Sequence, residues 1–104
     1  MRSIWLVASM LAAFSTSAYA AEHVVNQKQL TFIPEELTIA AGDTIRFTNG
    51  DRTAHHIMTT DQGLNVSSPL LPPGSDFTVK LDKPGAYVFG CHIHPKMALK
   101  VTVK

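Results

Sequence analysis

Apolar and polar residues alternate in short runs along most of this chain. Across residues 44–49, Ile45 and Phe47 fall on one side, and Thr44, Arg46 and Thr48 on the other. Phe77, Val79 and Leu81 alternate within 76–81. Tyr87 and Phe89 share the face of Cys91 within 86–91, and Leu99, Val101 and Val103 interleave with Lys100, Thr102 and Lys104. A period of two marks a strand with one face buried. Weaker patterns predict further strands over 23–29, 37–40 and 56–60, with Pro34 breaking the stretch between the first two. Turn chemistry punctuates them at Ala41-Gly42-Asp43, Asn49-Gly50-Asp51 and Asp82-Lys83-Pro84-Gly85. Residues 61–75, rich in Gly, Ser and Pro, read as a loop. No helical periodicity of useful length and no internal repeat occur after residue 20. The expectation is an all-β domain, a small Greek-key sandwich or barrel of about seven to eight short strands.

The first twenty residues predict something other than fold. Arg2 gives a positive start, residues 4–14 form an apolar run too short to span a bilayer, and Ala18-Tyr19-Ala20 fits the small-x-small cleavage pattern. Residues 1–20 are therefore read as a signal peptide and 21–104 as one domain, cut before Ala21. Of 104 residues, 84 stay in the mature chain. Losing Arg2 leaves eight basic residues against eight acidic ones, so charge gives no reason to expect a nucleic-acid partner. No later apolar run predicts a membrane span. A domain this small buries only about 60% of its chain surface and is marginal without reinforcement. One cysteine, Cys91, rules out an internal disulfide. A bound metal is the other common reinforcement.

The candidate chemistry lies near the C-terminus, in Cys91-His92-Ile93-His94-Pro95-Lys96-Met97. Cys91 and Met97 offer soft sulfur and His94 offers imidazole. Two His, one Cys and a weak Met make up the ligand set of a type 1 copper site, and this segment holds three of the four. The remaining histidine must come from elsewhere in the chain. His55 and His56 both stand at the start of a strand, just after a turn. Strand alternation sends only one of them toward the loop, and a register slip by one residue would exchange their roles. His92 should point away from Cys91, and His23, near the new N-terminus, reads as a surface histidine, with weak copper binding as the alternative.

These features resemble the plastocyanin, pseudoazurin and amicyanin family of cupredoxins over nearly the whole mature sequence. Phe32-x-Pro34-x-x-Leu37-x-Ile39-x-x-Gly42-Asp43-Thr44-Ile45-x-Phe47-x-Asn49 is similar to the family's opening strands. Leu71-x-Pro73-Gly74, Phe77-x-Val79 and Lys83-Pro84-Gly85-x-Tyr87-x-Phe89-x-Cys91 are similar to its later ones. The short C-x2-H-x2-M loop, with Pro95 after the histidine, most resembles amicyanin. The resemblance implies a cupredoxin-type sandwich and one copper ion held by His55, Cys91, His94 and Met97. Two positions depart from the family pattern: His56 stands where Asn is usual, and Leu99 where a small Gly is usual.

The resemblance further implies an electron carrier rather than an enzyme, exported to the periplasm and monomeric by default. Redox partner proteins, such as a dehydrogenase, cytochrome or oxidase, are expected to dock near His94. Leu70, Leu71, Pro72, Pro73, Ile93 and Pro95 are the candidate apolar rim. An alternative is a periplasmic copper-binding protein for tolerance or delivery, to which His23, His56 and His92 lend support. A cysteine nucleophile with His94 as base accounts for neither Met97 nor the likeness.

Overall fold

The computed structural model describes residues 20–104, so the expected signal peptide lies outside the described residues apart from Ala20. Nine strands form among the described residues: β1 (Glu22–Lys28), β2 (Thr31–Ile33), β3 (Glu36–Ile39), β4 (Thr44–Asn49), β5 (Met58–Thr59), β6 (Val66–Ser67), β7 (Asp76–Lys80), β8 (Gly85–Gly90) and β9 (Ala98–Val103). One sheet has the order β2-β1-β4-β7 and the other β3-β9-β8-β5-β6. The strongly alternating segments became strands within a residue of their expected limits. The count exceeds seven or eight because β2 and β6 are three- and two-residue pieces, too short for periodicity to register. Loop 61–75 contains β6 and a 3-10 turn over Asp61–Gly63. No helix among the described residues is long and apolar enough to cross a membrane.

The inward faces of the two sheets make one core. Ile45 and Phe47 from β4, Val25 from β1 and Val79 from β7 meet Tyr87 and Phe89 from β8 and Leu99, Val101 and Val103 from β9. Phe47 joins the layers, with its ring 6.0 Å from Phe32 and 5.3 Å from Phe89. Leu99, at the position where the resemblance implies a small Gly, is fully buried opposite Phe89. Two pairings are parallel, β1 with β4 and β3 with β9. The chain first passes from one sheet to the other between β2 and β3, at Pro34.

At one end of the sandwich Asp43 fastens the start of β1. Its Oδ1 accepts the Ala21 N–H at 2.9 Å, and its Oδ2 accepts the Ala40 N–H at 3.0 Å and pairs with His23 Nε2 at 2.9 Å. The amide of Ala21, the imidazole of His23 and the amide of Ala40, in that order, lower the carboxyl from 3.8 to about 2, against a smaller opposing effect of burial. The unfolded chain therefore takes up this proton first. Asp43 contributes stability above pH 3.8 that is lost as pH falls toward about 2. Acid titration of unfolding should show a steeper loss across that window in the native protein than in Asp43→Asn. Parallel curves would show that this carboxylate does not couple to folding.

Candidate metal centre

Four elements meet at the opposite end of the sandwich. Strand β8 ends at Gly90 and β9 begins at Ala98, and those two residues pair across the ladder. The seven residues between them, Cys91 to Met97, are thus a closed hairpin loop whose ends are fixed at strand spacing. Cys91 continues the inward face of Tyr87 and Phe89 and is buried. The Met97 N–H returns to the His94 carbonyl at 3.0 Å, which turns the loop and brings Met97 back into the interior, 3% exposed. His94 stays half-buried at the surface.

His55 reaches the same place from the other side of the sequence. It pairs with Leu71 through two backbone hydrogen bonds of 3.0 and 2.8 Å, and its ring is fully buried. His55 Nδ1 lies 3.9 Å and His94 Nδ1 3.7 Å from Cys91 Sγ, and the ligand atoms of the three residues all lie within 4.8 Å of one another. Donors about 2.0–2.3 Å from a shared ion, at trigonal angles, stand about 3.6 Å apart. The gap between these atoms is therefore the size of a metal ion. Two imidazoles and a thiolate, with a thioether nearby, suit copper in both oxidation states.

Residues outside the expected set hold this arrangement. Asp51 Oδ2 accepts the His55 Nε2–H at 2.8 Å, which leaves the Nδ1 lone pair facing the sulfur. The same carboxylate accepts the Gln29 N–H at 2.6 Å and the Leu30 N–H at 3.0 Å. Gln29 and Leu30 form the two-residue turn between β1 and β2, with φ of 53° and 58°. Such a turn normally takes Asn-Gly, and left-handed backbone costs an ordinary residue about 1–2 kcal/mol. Asp51 offsets that cost by binding both turn amides. Burial raises the Asp51 carboxyl, but the Leu30 amide, the His55 imidazole and the Gln29 amide together hold it below its ordinary value. Asn49 steadies the segment beneath: its Nδ2 donates to the Thr53 and Leu71 carbonyls, and its Oδ1 accepts the Asp51 N–H, each at 2.9 Å.

From sequence, Asp51 is a turn former, and Asn49 a turn former and part of the family-like strand pattern. The i, i+4 spacing of Asp51 and His55 was the one available signal. His56 faces away from the cluster; its Nε2 pairs with Ser67 Oγ at 2.9 Å, bracing the start of β5 to β6. His92 is exposed with its ring 6.1 Å from that of His56. The expected apolar rim needs one correction. Leu71 is buried, because its backbone pairs with His55 and its side chain joins the core. Leu70 and Ile93 are exposed, and Leu30 joins Ile93, His94 and Pro95 around a shallow apolar depression.

The cupredoxin-like domain family model matches residues 2–103. The chain belongs to the cupredoxin family of copper electron-transfer proteins. Plastocyanin from Ginkgo biloba is 38% identical over 77 residues, covering 64% of this chain and 78% of that one. Amicyanin-alpha from Methylorubrum extorquens is 28% identical over the full length of both chains. Among solved structures, a purple cupredoxin from Nitrosopumilus maritimus superposes with a TM-score of 0.72 at 26% identity, covering 79% of this chain and 99% of that one. Both the sandwich and the His55, Cys91, His94 and Met97 arrangement accord with a type 1 copper site of this cupredoxin family.

Asp51→Asn keeps the size of the side chain but removes the charge that orients His55. Copper affinity, measured by competition with a chelator, should fall about ten- to hundredfold. An unchanged affinity would show that His55 needs no carboxylate to aim it.

Proposed function

We propose that this cupredoxin is a periplasmic one-electron carrier whose copper is held by His55, Cys91, His94 and Met97. The observation that carries the reading is the approach of two Nδ1 atoms, at 3.9 and 3.7 Å, to one buried sulfur. Copper bound there supplies a Cu(II)/Cu(I) couple at a site that suits both states. The leader pattern of residues 1–20 supports export, and the relatives support a carrier rather than an enzyme.

The chain's own residues prepare the exchange. Asp51 fixes the His55 tautomer, and the β8–β9 ladder sets the span of the loop, so the donors need little rearrangement between states. Burial keeps water and oxidants from the Cys91 sulfur. His94 alone of the four presents an edge to the surface, in the depression shared with Leu30, Ile93 and Pro95. A redox partner such as a dehydrogenase, cytochrome or oxidase would meet that small apolar face in a transient contact.

One equivalent of Cu(II) added to the mature protein should give intense visible thiolate absorption and a type 1 EPR signal. Cys91→Ser should abolish the colour; colour retained there would remove Cys91 as its source. Met97→Leu should keep the colour and raise the reduction potential, because it removes a weak donor that favours Cu(II). Loss of all copper in that variant would make the thioether a structural ligand instead.

The apolar face is tested separately. Ile93→Glu, at an exposed residue of that depression, should slow electron self-exchange by at least about tenfold with an unchanged spectrum, since two like-charged faces then meet. Unaltered self-exchange would place docking elsewhere.

A further inference from the structure

The other end of the sandwich carries a second group of metal-binding atoms. Cleavage after Ala20 would make Ala21-Glu22-His23 the start of the chain, with a free amine on residue one and an imidazole on residue three. That spacing allows the amine, the ionised amide nitrogens of Glu22 and His23, and His23 Nδ1 to close three fused chelate rings around one ion. Four nitrogens in a plane select Cu(II) or Ni(II) over Zn(II) and over Cu(I).

We propose that the processed chain binds one Cu(II) or Ni(II) ion at Ala21–His23, independently of the cysteine-centred site.

Several features of the structure favour such a site. Asp43 already gathers the two ends of the chelate, holding the Ala21 nitrogen on Oδ1 and His23 Nε2 on Oδ2, each at 2.9 Å. With Nε2–H donated to a carboxylate, the tautomer leaves Nδ1 free, and Nδ1 is the nitrogen that the chelate requires. A metal-bound amine keeps two hydrogens and a metal-bound imidazole keeps its Nε2–H, so both groups can retain Asp43 as a partner. Strand β1 is open on this side, because β2 covers only Asn26 to Lys28. His23 is part-exposed and Glu22 exposed, so an ion can reach them from solvent.

Binding has a structural cost and a proton balance. Glu22 and His23 pair with Thr44 and Ile45 at the start of the β1–β4 ladder, and the chelate takes those first rungs. The ammonium loses one proton and the two amides lose one each, so affinity increases with pH. Strand β4 separates this group from the cysteine-centred site by roughly 20 Å, six residues at strand rise. A planar four-nitrogen site holds Cu(II) and releases Cu(I), which suits capture of Cu(II) rather than electron relay. The inference rests on cleavage after Ala20 and does not depend on the electron-carrier reading.

The test uses the exported protein with its cysteine-centred site filled by Cu(I), which is colourless and diamagnetic, with its first residue established by mass spectrometry and Ni(II) alone as the probe. The expected result is one Ni(II) per chain with the visible absorption and diamagnetism of square-planar nickel. The same signal should persist in Cys91→Ser, so a failure of the cysteine site leaves this result standing. It should be lost in His23→Gln. It should also be lost when one Ala is inserted between Ala21 and Glu22, which keeps every side chain and moves His23 to the fourth position. Thermal unfolding of the insertion variant checks that it is folded. A chain that begins at another residue, no square-planar nickel in the native protein, or equal binding by the insertion variant would each overturn the proposal.

Discussion

The register of β8 against β9 is the constraint on which the copper end of this molecule depends. Phe89 opposite Leu99 and Gly90 opposite Ala98 leave a loop of fixed span, with Cys91 on the inward side and Met97 returned to it. A slip of one residue would turn Tyr87, Phe89 and Cys91 to the outer face together, removing core and sulfur in one step. Packing and ligation therefore share one origin. Burying Tyr87, Phe89, Leu99 and Val101 fixes the register, and the register aims the ligands.

Against that rigid loop, His55 is held by hydrogen bonds. Asn49 and Asp51 form a small polar network beneath it, every member of which is satisfied by backbone or imidazole. The network runs on to the left-handed turn at Gln29 and Leu30. One carboxylate thus links the buried ligand to the surface residue that borders His94. The shape of the apolar face and the aim of the imidazole are mechanically connected through Asp51.

The two ends of the sandwich use the same device for different purposes. At each, a carboxylate takes a histidine Nε2 and two backbone amides: Asp51 with His55, Gln29 and Leu30, and Asp43 with His23, Ala21 and Ala40. In both cases the other ring nitrogen is left free to act. At the copper end that nitrogen faces sulfur in the interior. At the far end it belongs to part-exposed His23, at the start of β1.

Strand positions were legible because burial on one face writes a period of two into the chain, and the C-x2-H-x2-M loop because its donors are contiguous. Which histidine joins them was open from alternation alone; the family frame pointed to His55, and the fold places that ring beside Cys91 while His56 turns to Ser67. Alternation tells a strand which face is buried but not which neighbour it has, so the parallel pairings of β1 with β4 and β3 with β9 could not be read. Leu71 looked like a surface residue among prolines until its backbone paired with His55. The bonds from Asp51 to Gln29 and Leu30 cross more than twenty residues of sequence and carry no local signature. The sequence by itself therefore determined the all-β class and the donor types. Only the tertiary structure decided which carboxylate orients each imidazole and which apolar residues surround the exposed one, because those contacts form when distant turns are brought together.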